Sequence, residues 1–533
     1  MSVTTPNPPR SLAKMLVLAA VVVAVPAPIT LLSGGVSSIG AASGVLGLPL
    51  LYGALGVIML VSAAAWSAAS RQIPDANGLY TFAGRGLGAA VGYGVAALGA
   101  VAYTSMTIAN VGLIGEEIIA PLHEAGVGAE WWMIAVPVVA LIGFLGTTSF
   151  RVRAIVLAAI VVIQLPGIFL FDLSALTKPG PEGVTTEALD PTSVFSGSIG
   201  AAVGFLALTY VGVEAGRVFQ NESNAGRRVA SKATYLGILG LVALYVTSTW
   251  LVTVVTGGED FVVEAKDNPI FLVPDSIEAN FGVGAANAFF LITTISTIGA
   301  TLAFHSLAAR HLQVTAADGL LPAWFAKEHG PRRVPLHGSW AMSGLSIVVL
   351  LAFAVGGAEP YQDVFLIMSH LGALSSVLMF VVVFFAIAVY FLRSDSESDG
   401  FFGWEGVLIA ALTAGVALAS LLVLTVAESD ARLGVEPLSV LTWLLPLLAV
   451  LAFVGGLVRA QVVRSSRPEL VERLAGTRKA PAPGTEEWID ADTSGWSVGG
   501  SDGAALPTWQ APPAQPGYGQ PGHPVKENHH PYR

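Results

Sequence analysis

What limits this chain most is a series of apolar runs, because about 18 or more residues with few charges make a helix long enough to cross the hydrocarbon of a bilayer. Between polar punctuation the 533 residues carry twelve of them. They fall near residues 12–38, 44–69, 87–121, 131–150 and 153–176, then 194–219, 231–256, 284–312, 336–356 and 362–392, and last 403–427 and 437–461. Only 12% of residues are charged and 54% are hydrophobic, whereas about a quarter of an average soluble domain is charged. Such a chain cannot cover itself with polar surface. Its length, which in water would imply several domains, is that of one membrane bundle, and the expected fold class is an all-α membrane protein.

Lys and Arg mark orientation, because they are retained on the cytoplasmic side of short loops. With an even number of spans and the amino terminus inside, only Lys178, Lys266 and Arg432 among 26 basic residues fall outside. The loop after the seventh span carries Glu259, Asp260, Glu264, Asp267, Asp275 and Glu278, as suits an outer face. The predicted location is multi-pass in the cytoplasmic (inner) membrane with both termini cytoplasmic. Arg10 and Lys14 ahead of an apolar stretch ending near Ala27 imitate a cleavable signal, but the run continues through Ile29 and Leu32, so the segment is expected to stay as a helix. Beyond Arg464 come ten of the 31 prolines and almost no apolar periodicity, the composition of a disordered tail. His529 and His530 within it read as solvated residues, not metal ligands.

There is no cysteine, which excludes disulfides, thiol catalysis and cysteine metal sites. A net charge of −10 and the lack of a basic stripe argue against nucleic acid. No His-Glu-x-x-His, phosphate loop or metal-ligand cluster appears, and Gly84, Gly86 and Gly88 follow no strand, so neither an enzyme nor a cofactor is indicated.

The functional signal lies in two weak points. A membrane helix satisfies its own backbone, and an interruption survives only where a cavity or ligand compensates. The first span contains Pro26-Ala27-Pro28 and then Ser33-Gly34-Gly35-Val36; the sixth contains Tyr210-Val211-Gly212-Val213-Glu214. These are corresponding members if spans one to five and six to ten form inverted repeats, which puts binding between the repeats. Half-helix N-termini would offer amides to a carboxylate. The competing reading is that the glycines only permit close helix packing.

Several stretches carry a family resemblance. Ser33-Gly34-Gly35-Val36-Ser37 is similar to the Gly-Ser-Gly-Ile-Phe break of the amino acid-polyamine-organocation superfamily of permeases, with Ser for the first glycine, and Gly47-Leu48-Pro49 follows at the family's distance. Ile73 through Tyr80 resembles the family's Pro-x-Ala-Gly-Gly-x-Tyr loop, and Gly86-Leu87-Gly88 its entry to the third span. Tyr210 to Glu214 resembles Phe-x-Gly-Phe-Glu, Asn221-Glu222 with Arg227-Arg228 the segment after it, and His305 to Arg310 with Asp318-Gly319-Leu320-Leu321-Pro322 the end of the eighth span. The resemblance covers about residues 15–335 and implies the amino acid permease branch, with a leucine-transporter-like 5+5 inverted repeat and discontinuous helices 1 and 6. The implied order is a cytoplasmic segment 1–11, a repeat over 12–176, an outer loop 177–193, a second repeat over 194–392, helices 11 and 12 in 403–464, and the tail 465–533.

The implied function is secondary transport of an amino acid or related amine, with exchange or a non-transporting sensor as alternatives. In the family the first break binds the substrate backbone, which nominates Ser33, Gly34 and Gly35 with Thr30 nearby. Tyr210 takes the position of the substrate lid and Gly212 that of the opening backbone, although Tyr210 is equally readable as a packed aromatic. Glu214 is the candidate coupling or gating group, since carboxylates within spans usually face a cavity or a partner. His305 and His370 also lie within spans, and His305 is nominated beside Glu214. Where some relatives carry a fifth-span lysine, this chain has Gln164. A sodium ion would need eighth-span hydroxyls, among which Ser296 and Thr297 are the candidates; a proton is the preferred coupling ion.

Overall fold

The computed structural model describes residues 8–73, 78–219, 223, 226–258, 260–267, 271–329, 334–393 and 403–476. Most of the motif at 74–77, Asn221-Glu222 and the segment from 477 onward, with His529 and His530, lie outside these residues. Among the described residues the structure is helical, with one isolated bridge between His329 and Val334.

Among the described residues ten helical segments are long and apolar enough to cross a membrane: Ser11–Ser43, Leu48–Gln72, Ala89–Glu124, Phe150–Thr177, Arg227–Thr256, Val283–Ala317, Leu336–Val355, Pro360–Arg393, Gly403–Ala427 and Val440–Ser466. The shorter apolar helix Trp131–Gly146 is the fourth span. The sixth is divided into Ile199–Leu206 and Ala215–Val218. All twelve expected spans therefore exist, in order. Large apolar side chains such as Phe144, Phe169, Val348 and Val423 stay exposed, as they can in a bundle surrounded by lipid.

The third span, 36 residues long and buried along most of its length, is the central post. It packs on the eighth, tenth and twelfth spans, while the first and second pack on the seventh and the fourth on the ninth. Lipid tails are as apolar as leucine, so association depends on close approach of backbones at small residues. A Cβ at Gly86 would meet the backbone of Ala386, and one at Gly456 the backbone of Tyr93 and Gly94.

One expectation fails just past the twelfth span. The chain does not lose structure at residue 465: Pro468–Ala475 is a helix, opened by its proline and closed by Gly476 at φ 81. Leu474 is buried against Gly84 and Gly92, and Arg473 pairs with Asp318. Tyr80 donates to Asp318 Oδ2 at 2.6 Å and the Tyr93 hydroxyl to the Asp318 carbonyl. Eight residues are too few for a helix that stands alone, so its stability comes from this docking, which composition does not record.

Replacing Gly86 with Ala should cost about 1–3 kcal/mol, because the obstructing atoms are backbone and cannot rotate away. Gly240→Ala, which points into open space, should change stability by less than about 0.5 kcal/mol. Thermal unfolding of the two purified variants in detergent checks the difference.

Candidate functional site

Pro26 and Pro28 lack the amide protons that Val22 and Ala24 would otherwise accept, and the first helix stops at Ala24. Ala27 takes φ 46, which costs a non-glycine residue about 1–2 kcal/mol. The chain then re-enters helix through a wide π turn, Leu31–Gly35, before regular helix resumes at Val36. The full interruption thus falls on the proline pair, and Ser33-Gly34-Gly35 forms the widened turn beyond it. Gln164 of the fifth span compensates: its Oε1 lies 3.5 Å from the Ile29 amide and 2.9 Å from Ser296 Oγ.

The sixth span unwinds between Leu206 and Ala215. Gly212 has φ 95 and lies against Val25, so the two interruptions cross where a side chain would have no room. Unwinding turns the Leu208 amide to the Phe205 carbonyl at 3.1 Å, and the buried guanidinium of Arg432 takes the Gly204 carbonyl instead, at 2.6 Å. Arg432 also reaches Ser369 Oγ at 3.2 Å and lies 4.8 Å over the Phe205 ring. Its assignment to an outer loop from charge counting did not anticipate that the side chain is buried.

A cavity of about 180 Å³ lies at the crossing. Thr30, Ser33, Gly34 and Gly35 line it, as expected for the first break. The third span adds Asn110, Glu116 and Glu117, and the eighth adds Thr293 and Thr297. Thr297 Oγ1 lies 2.9 Å from both Glu117 Oε1 and Thr30 Oγ1, a hydroxyl chain that ties three spans together. Glu117 Oε2 and Asn110 Nδ2 are buried without hydrogen-bond partners. Phe271, Phe290, Phe304, Tyr361 and Phe365 contribute aromatic walls.

Other nominated residues are placed elsewhere. Tyr210 does not cover the cavity: its ring meets Tyr245 edge-on at 5.5 Å, and its hydroxyl bonds the Tyr52 carbonyl at 3.3 Å. The aromatic-lid expectation is corrected for this conformation, because the unwound turn points Tyr210 between the second and seventh spans. Gly212 shapes the crossing without lining the cavity. Glu214, fully buried beside the break, accepts from the Tyr103 hydroxyl at 2.8 Å. His305 is 3.1 Å from Ser343 Oγ, between the eighth and ninth spans, and His370 is 3.0 Å from Ser429 Oγ. Neither histidine reaches the cavity. Ser296 and Thr297 both donate to side chains, and among the described residues no group of three His, Cys, Asp or Glu is placed to hold a metal ion.

Glu116 and Glu117 were missed although the signal was present: two carboxylates inside an apolar run. Both lie within the expected third span and within the observed helix Ala89–Glu124.

Two interrupted helices crossing at a largely apolar cavity with a few polar groups, inside a helical bundle, define a membrane carrier for a small solute. The sequence pattern of the amino acid permease family matches residues 15–452, and the chain belongs to that family. No curated protein matches it in sequence. In structure it is similar to a mutant of the Eremococcus coleocola manganese transporter, at 15% identity and TM-score 0.50, covering 89% of this chain and 97% of that one. The same transporter in complex with an aromatic bis-isothiourea substituted compound gives 16% identity, TM-score 0.50 and the same coverage. At such identities the likeness bears on fold alone, and the fold is the leucine-transporter-like one.

Gly212→Ala should impose about 1–2 kcal/mol of backbone strain and drive a methyl into Val25. The expected result is a folded protein with severely reduced transport, checked by uptake into vesicles alongside a melting curve.

Proposed function

We propose that the protein is a secondary active transporter that carries amino acids or related amines across the cytoplasmic membrane by proton symport. The observation that carries the reading is the cavity at the crossing of the two breaks, with unmet donor Asn110 Nδ2 and unmet acceptor Glu117 Oε2 on its wall. A buried polar atom without a partner is costly, and a solute that carries an acceptor for the one and a donor for the other relieves them. Thr30, Ser33, Gly34 and Gly35 line the same cavity and are the substrate-binding residues of the first break.

The two repeats, 12–176 and 194–392, rock about the site to open it to each face in turn, with helices 11 and 12 bracing them. Both termini lie in the cytoplasm. Glu214 is the coupling group: it sits at the end of the unwound segment, bonded to the third span through Tyr103, so gain or loss of its proton changes the tie between the repeats.

Purified protein in proteoliposomes should accumulate labelled amino acids under an inward proton gradient and lose accumulation when the gradient is collapsed. Glu214→Gln should abolish uphill uptake while keeping solute exchange at equilibrium. If no amine-bearing solute moves, or if uptake follows sodium and ignores pH, the proposal fails in its first or second part respectively.

A further inference from the structure

We infer that the solute is a basic amino acid, with the ammonium at the end of its side chain seated on Glu117. This rests on the transport reading and names the solute class of that same cavity. Three observations converge on it.

The first is charge. Glu116 and Glu117 both line the cavity, and no Lys, Arg or His does. Glu117 is only 9% exposed. Its Oε1 accepts from Thr297 at 2.9 Å, while Oε2 has no partner; Thr294, standing beside it, gives its hydroxyl to the Phe290 carbonyl at 3.3 Å. A carboxylate so far removed from water is stable only when paired or protonated. A protonated amine supplies both a counter-charge and the hydrogen-bond donors that Oε2 lacks.

The second is the wall. Phe271 and Phe290 stack at 6.2 Å and Tyr361 and Phe365 at 5.5 Å, and all four line the cavity. Ring faces attract cations, most strongly when water is excluded.

The third is length. Asn110 Nδ2 is the unmet donor, seven residues before Glu117 on one helix, which separates the two positions by about 10 Å along the axis. The carboxylate and ammonium of a neutral zwitterion share one carbon and cannot reach both. A lysine-like chain can, with its carboxylate at Asn110 and its distal amine at Glu117. Glu116, half buried and next in sequence, adds negative charge at the same end, where Glu359 is also near. A divalent metal fits less well, since the described residues hold no group of three metal-ligating side chains.

The test is competition in proteoliposomes holding the full chain, with labelled lysine and leucine as solutes and unlabelled arginine, putrescine and manganese(II) as competitors. Lysine should be taken up in preference to leucine, and arginine should compete. Glu117→Gln should weaken lysine uptake about tenfold or more, the loss of one charge-assisted bond, and weaken leucine uptake less. Glu116→Gln should raise the KM for lysine more than that for leucine. If wild type carries leucine and not lysine, the inference fails and the transport reading stands; if neither moves nor shifts the melting temperature, the inference fails, and the transport reading fails with it when no other amine-bearing solute moves. If Glu117→Gln removes uptake of both solutes and its dependence on the proton gradient, Glu117 carries the proton and the inference is overturned. Competition by manganese(II) alone overturns it as well. Should Glu117→Gln not fold, wild-type selectivity and Glu116→Gln decide.

Discussion

Inside the hydrocarbon a peptide group has no water to bond, and almost everything in this structure answers to that constraint. It makes the spans helical, and it makes any gap in a helix a structural debt that neighbours must cover. Twelve spans are arranged around two such gaps. Prolines open the first by removing donors; Gly212, with a backbone that side chains avoid, permits the second.

Cover for the gaps comes from side chains distant in sequence. Gln164 reaches the Ile29 amide from the fifth span, Tyr245 donates to the Thr209 carbonyl at 3.1 Å from the seventh, and Arg432 takes the Gly204 carbonyl from the connection between the eleventh and twelfth. Each replaces a bond that a continuous helix would have made for itself. The arginine also gives the last two spans, which lie outside the repeats, a direct hold on the sixth.

How legible the site was depended on what kind of contact defined each part. The spans, their order and the two interruptions could be read directly, because apolar length, proline and glycine act locally. Thr30, Ser33, Gly34 and Gly35 reached the cavity because the first break is itself the cavity wall. Tyr210 did not, because which way an unwound turn faces depends on the tyrosines of the second and seventh spans. His305 looked functional as an ionisable group in a span, and its partner turned out to be a serine on the ninth. Glu117 was passed over although it lies inside the third span, and the docking of Leu474 on Gly84 and Gly92 gave a short amphipathic stretch an order that its composition did not foretell.

The amino acids alone determined that this chain lives in a bilayer, crosses it twelve times, and breaks its first and sixth helices, since each follows from the solvation of one stretch of backbone at a time. Only the tertiary structure decided that Glu117, Thr297 and Thr30 meet, that Arg432 is buried on the sixth span, and that Tyr210 turns from the cavity. Most of those contacts join residues more than a hundred positions apart, and the energy that selects them exists only once the helices have packed.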